Sequence, residues 1–113
     1  MASPMDLAAA YTGRAPAWVD FTGTVASPPR FFYGSRTHAL HEAFDVTSSA
    51  GPLEVVDNVA IAPRCPVQTG DSIEIAGQMV HDPGRLPIVH WTHHDPQHTW
   101  RGGFIRLHGR VYA

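Results

Sequence analysis

Gly70-Asp71-Ser72-Ile73-Glu74-Ile75-Ala76-Gly77-Gln78-Met79-Val80, running into His81-Asp82-Pro83-Gly84, decides the fold. From Ser72 to Val80 the apolar residues recur every second position, and Ile73, Ile75 and Gly77 fall on one side. That period of two marks a half-buried strand. Asp82-Pro83-Gly84 then turns the chain sharply, because Pro presets φ and Gly accepts the conformations other residues avoid. The next segment, Leu86 to Thr92, is read as the returning strand.

Working outward, the same alternation recurs. Trp18 to Ala26 reads as a strand with Gly23 at a bend or bulge, and Pro28-Pro29 breaks it. Leu40 to Thr47 and Leu53 to Val59 read as strands joined by the turn-rich Ser48-Ser49-Ala50-Gly51-Pro52. Residues 60–69 carry Pro63 and Pro66 and read as irregular, with Cys65 an incidental lone thiol. At the end, Phe104 to Leu107 and Arg110 to Tyr112 flank His108-Gly109, a two-residue hairpin turn. Residues 1–16 read as an arm holding a short helix, Met5 to Tyr11, with Ser3 as N-cap and Pro4 at the first helical position. The remainder, 17–113, reads as a single domain: five or six short strands with no room for a crossover helix, hence an all-β antiparallel barrel. Gly-Thr-Val at 23–25 and the Gly70–Gly77 stretch resemble strand patterns of oligonucleotide/oligosaccharide-binding folds, where Gly lets a coiled strand turn a barrel corner.

Composition narrows the class of function. A 113-residue chain that is 43% hydrophobic and 16% charged supports one core, and is too apolar for a disordered chain. Its formal net charge of −2 supplies no overall field for extended nucleic acid or an anionic bilayer. No apolar run approaches the roughly 20 residues of a membrane span, and no signal-peptide pattern opens the chain, so a soluble cytoplasmic protein is expected. A single cysteine forms no internal disulfide. All eight basic residues are Arg, which codon usage or phosphate recognition would each explain.

Four of the eight His fall between His90 and His98, in His90-Trp91-Thr92-His93-His94-Asp95-Pro96-Gln97-His98. On a straight strand His90 and His94 share a face but stand about 13 Å apart, too far for one ion. A bend at His93 would let His90 converge with His93 or His94, so the metal reading, with His90 and His94 as ligands of a divalent ion such as zinc, requires that bend. The alternative is acid/base chemistry by His90, His93 and His94, with Asp95 orienting an imidazole. A structural reading stays beside both: Trp91 in the core and Asp95-Pro96 a turn.

Secondary candidates are the loop Gly34-Ser35-Arg36 with His38 and His41, read equally as an anion pocket or a solvated loop, and Asp57, Asn58 and Arg64 beside the irregular segment. Asn58 could equally brace that segment through backbone hydrogen bonds. Arg101, before Gly102-Gly103, completes the ligand-binding candidates with Trp91. Phe31-Phe32-Tyr33 reads as core or as a stacking surface.

The stretch His90 to Pro96, with Gly102-Gly103-Phe104-Ile105 and the closing His-Gly-Arg-Val-Tyr, resembles an uncharacterised bacterial family, domain of unknown function 3465. Gly34-Ser35-Arg36, Asp57-Asn58, Ile61-Ala62-Pro63-Arg64 and Gly70-Asp71 resemble its other motifs, so the likeness covers most of residues 21–112. Two places depart from that pattern: Asp57 stands where a His precedes the Asn, and Thr37-His38-Ala39-Leu40-His41 replaces a shorter stretch. The resemblance implies a site and no reaction. Three functions follow from the residues. One is a binding module for an anionic ligand, whether nucleotide, nucleic acid or phosphorylated small molecule. The second is a hydrolase, such as a nuclease or phosphodiesterase, using metal or His acid/base chemistry. The third is a metal-binding protein without turnover.

Overall fold

The computed structural model describes residues 3–113. A short helix, α1 (Leu7–Thr12), precedes eight strands: β1 (Ala17–Val25), β2 (Arg30–Tyr33), β3 (Leu40–Ser48), β4 (Pro52–Asn58), β5 (Ser72–Val80), β6 (Ile88–His90), β7 (Phe104–Leu107) and β8 (Arg110–Tyr112). Five of them close a barrel in the order β1-β3-β4-β6-β5-β1. The chain is thus mostly β with a small helical part, as its periodicity predicts.

Two features depart from the expected five- or six-stranded antiparallel barrel. The closing pair β4–β6 is parallel, with Glu54 opposite Ile88 and Val55 opposite Val89. In addition, β2 and the β7–β8 hairpin extend the sheet beyond the closed ring. β2 escaped the sequence reading because Pro28-Pro29 ends the first apolar run and only four residues follow. Phe31, Phe32 and Tyr33 lie exposed on it, which removes the core reading for all three.

The inward phase of each barrel strand builds the core: Val19 and Phe21 from β1, Phe44 and Val46 from β3, Leu53 and Val55 from β4, Ile73, Ile75 and Met79 from β5, and Val89 from β6. Each such side chain contributes roughly 1.5–3 kcal/mol by leaving water. At the end of the chain, His108 (φ 51°) and Gly109 (φ 80°) form the left-handed two-residue turn expected between β7 and β8.

The helix starts later than its sequence predicts. Asp6, not Ser3, is the N-cap, its carboxylate accepting from the Ala9 amide at 3.2 Å. Gly13 ends it, its amide donating to Ala9 O. Ala10 is buried, Leu7 and Tyr11 pack on the core, and the Tyr11 hydroxyl donates to Pro52 O at 2.7 Å.

The path of the histidine segment follows from β5. One edge of β5 pairs with β6 at Gln78–Val80 and with β7 at Ile73–Ala76. Residues 91–103 therefore leave that edge after His90 and must return to it a few residues lower. The return is tight. A Cβ on Gly103 would stand 2.2 Å from Trp91 O and 2.3 Å from Ala76 O, so no other residue passes there. The Gly103 amide donates to His93 O at 2.7 Å, pinning the base of the excursion.

Candidate functional site

The bend falls at Trp91, two residues before the expected position. Trp91 adopts φ 56°, a left-handed conformation uncommon for a bulky side chain, and ends β6 at His90. Its indole Nε1 donates to Arg101 O at 3.0 Å, tying the two ends of the excursion together. Thr92 turns inward and is fully buried, its hydroxyl lying 3.0 Å from Val56 O and 3.1 Å from Asp57 Oδ1.

This geometry opens a groove of about 390 Å³ on the outer face of the barrel, lined by Arg36, Thr37, His41, Val56, Asn58, Ile61, His90, Trp91 and His93. An adjoining hollow of about 440 Å³ shares Arg36, Thr37, His41, Val56 and His90, and adds Phe32, Gly34 and Asp82. Six residues expected at the site from sequence thus meet here: Arg36, His41, Asn58, His90, Trp91 and His93. They come from the β2–β3 loop, β3, β4, β6 and the excursion after it.

Each imidazole in the groove has one ring nitrogen held by an oxygen that only accepts. His41 Nδ1 lies 2.9 Å from Ala39 O, His93 Nδ1 lies 2.7 Å from His94 O, and His90 Nε2 lies 3.0 Å from Gln78 Oε1. In the neutral ring that nitrogen is therefore the donor, and the other keeps its lone pair. The basic nitrogens are His41 Nε2, His93 Nε2 and His90 Nδ1. Burial lowers the pKa of His90, and the nearby His93 lowers it further. Burial likewise lowers that of His93, reinforced by His94 and His41 and opposed by its bond to His94 O and by Asp95. Burial thus favours the neutral form of both rings.

The remaining candidates lie elsewhere. His94 is exposed and stacks on His98, with ring centroids 6.4 Å apart. The pair His90 and His94 is therefore split between groove and solvent. Among the described residues, no three His, Cys, Asp or Glu side chains are placed to hold a metal ion. Asp95 touches no imidazole through a hydrogen bond: its carboxylate accepts from the Gln97, Thr99 and Trp100 amides at 2.7–3.0 Å and from the Thr99 hydroxyl at 3.2 Å. Those bonds, led by the Gln97 amide, hold its carboxyl below the usual carboxylate range. Its place in the structure is the core of the 95–100 loop. His38 is exposed with φ 54°, and Arg64 lies over the Phe31 ring at 4.6 Å. Arg101 lies over Trp18 at 4.6 Å, and Asp57 is buried inside the barrel. Asn58 both lines the groove and braces the next segment, its side-chain oxygen accepting from Ala60 N at 3.0 Å.

Sequence reasoning missed Glu42 and Thr92. Glu42 is fully buried, its Oε1 accepting from Cys65 N at 3.2 Å. The signal was present, since Glu42 shares the inward phase of Phe44 and Val46 on β3.

Fold and groove together define a small, mostly β barrel with an open groove on its outer face. The chain matches the family described as "Protein of unknown function (DUF3465)" over residues 7–113, and it belongs to that family. No curated protein and no solved structure matches it. No helix among the described residues is long and apolar enough to cross a membrane.

Proposed function

We propose that the groove binds a compact anionic ligand, with a phosphorylated aromatic molecule such as a nucleotide as the best chemical fit. The observation that carries this reading is the distribution of arginines. Arg30, Arg85 and Arg106 sit on carboxylates of Asp45, Glu54 and Glu74, away from the groove. Arg36, on the groove wall, makes no ion pair among the described residues. Its guanidinium is free to fork onto a phosphate or carboxylate. Trp91 and the Phe32–His41 stack supply flat surfaces for a ring, and Asn58 offers both a donor and an acceptor.

Calorimetric titration with a nucleoside monophosphate and with its parent nucleoside tests this directly. The monophosphate is expected to bind more tightly, and Arg36→Ala to weaken it about tenfold while sparing the nucleoside. Absence of binding by either compound, or indifference to Arg36→Ala, refutes the reading.

A second reading rests on the fixed tautomers. A neutral His93 with Nε2 bare is a competent base toward water, and His90 stands in the same groove. Hydrolysis of an activated phosphodiester that survives a chelator and is lost in His93→Ala, with the melting temperature unchanged, would establish turnover by this base.

A further inference from the structure

Ring contacts continue past the groove on its far side. Trp91, on the groove wall, meets Trp100 edge-on at 5.4 Å, and Trp100 meets Trp18 at 5.8 Å. Arg101 Cζ lies 4.6 Å from the Trp18 ring centroid, and Trp100 is 52% exposed. All three tryptophans of the chain thus gather at one end of the groove around a guanidinium that makes no ion pair among the described residues. At the other end Phe32 stacks on His41 at 5.5 Å, with Arg36 beside them.

The register lays these groups around the outer surface of the barrel in strand order. Phe32 opposes His41, which opposes Asn58. One rung beyond the Val55–Val89 pair, Val56 stands beside His90, which opposes Gln78, which opposes Trp18. Five ladder steps from β2 to β1, at about 4.8 Å each, make a contour of roughly 24 Å that curves around the closed ring. One compact ligand cannot occupy that length.

We propose that the path is a track for single-stranded nucleic acid. This rests on the groove reading and extends it: the central groove takes one nucleotide, and bases on either side stack on Phe32 and on Trp100. Arg36 and Arg101 follow the backbone. Aromatic faces stack every base alike while cations track the phosphates, and a site of this type takes about 4–16 nucleotides. Asp82 is the one carboxylate on the lining of the two hollows.

Fluorescence anisotropy with labelled oligothymidylates of increasing length, alongside thymidine monophosphate, tests the track on the full chain. Affinity is expected to rise with length up to at least four nucleotides or so, and a duplex to bind more weakly. Trp100→Ala and Arg101→Ala should each weaken the oligonucleotide about tenfold while sparing the monophosphate. Arg64→Ala, on Phe31 and outside the groove lining, should change neither. With only two arginines on phosphates, log K should fall with log salt with a slope of about −1.4. Trp100→Phe should restore binding where Trp100→Ala loses it, which separates stacking from a folding defect. A monophosphate that binds as tightly as any oligonucleotide overturns the track and leaves the groove reading standing. Length-dependent binding that ignores Trp100 and Arg101 also overturns it, as does equal affinity for duplex. Failure of both monophosphate and oligonucleotide refutes groove and track together.

Discussion

Glu42 and Asp57 oppose each other across the β3–β4 ladder inside the barrel, both fully buried, and each has one carboxylate oxygen, Oε2 and Oδ2, without a hydrogen-bond partner among the described residues. Two adjacent carboxylates in a medium of low dielectric cannot both ionise cheaply. Burial raises the Glu42 pKa, against the opposing Cys65 amide and Arg64 charge. Burial, and then the charge of Glu42, push Asp57 up to about 7, against bonds from Thr92 and the Asn58 amide. Burial and the surrounding acids also push the Cys65 thiol up to about 12, so it stays protonated.

A carboxyl whose folded pKa lies above its ordinary value stabilises the fold most when protonated. The contribution of Asp57 is complete below about pH 4 and is lost as pH rises through 7, a decline on the order of 4 kcal/mol. Asp57→Asn should flatten urea-unfolding stability between pH 4 and 8 and make the protein more stable than the parent at pH 8. A parent protein whose stability is level across that range would contradict the buried proton.

The two depressed imidazoles have the opposite sign. His90 and His93 favour the neutral form in the fold, so their contribution is present above pH 6.5 and is lost as pH falls through their lowered values. Nitrogen-edited NMR should find both titrating below 6.5, with the lone pair on Nδ1 of His90 and on Nε2 of His93. A midpoint at or above 6.5 for either would refute the assignment.

Asp95 should prove a loop organiser. Its depressed pKa means that it stabilises the loop above the usual carboxylate range and releases it as pH falls through its own value. Asp95→Ala should speed amide exchange at Gln97, Thr99 and Trp100 while leaving the barrel strands protected. If the exchange pattern is unchanged, the carboxylate is free for another task.

Gly103→Ala should destabilise by about 3 kcal/mol or more in chemical denaturation, since its Cβ would collide with two backbone carbonyls. Gly109→Ala, strained in φ but open in space, should cost only about 1 kcal/mol. Equal costs would mean that the backbone yields at Gly103.

Much of the barrel was legible because a period of two is local: Ser72–Val80 forms β5 to the residue, and the His108-Gly109 turn follows from two residues. The parallel closure was not legible, because nothing in Leu53–Val59 or Leu86–Thr92 states which distant edge each strand meets. The groove was partly legible. Residue type picked out Arg36, His41, Asn58, His90, Trp91 and His93. Only tertiary geometry separates His93, inside, from His94, outside, one residue on. Glu42 and Asp57 show how period and chemistry can disagree, for both hold inward positions among apolar neighbours.

The N-terminal helix has a consequence for the barrel. Leu7, Ala10 and Tyr11 pack on core residues, and His81 Nε2 meets Ala10 O at 2.9 Å, so this one and a half turns of helix act as a cork. The tether is the exposed run Arg14 to Pro16, just past the Gly13 amide hydrogen bond that closes the helix. A single cut there would release a peptide too short to stay helical in water and wet the barrel end beneath it. Fusion partners and labels at this end of the chain therefore sit on a stopper, whereas the exposed β7–β8 turn at His108-Gly109 touches the barrel through a 3.6 Å contact from His108 Nε2 to Asp71.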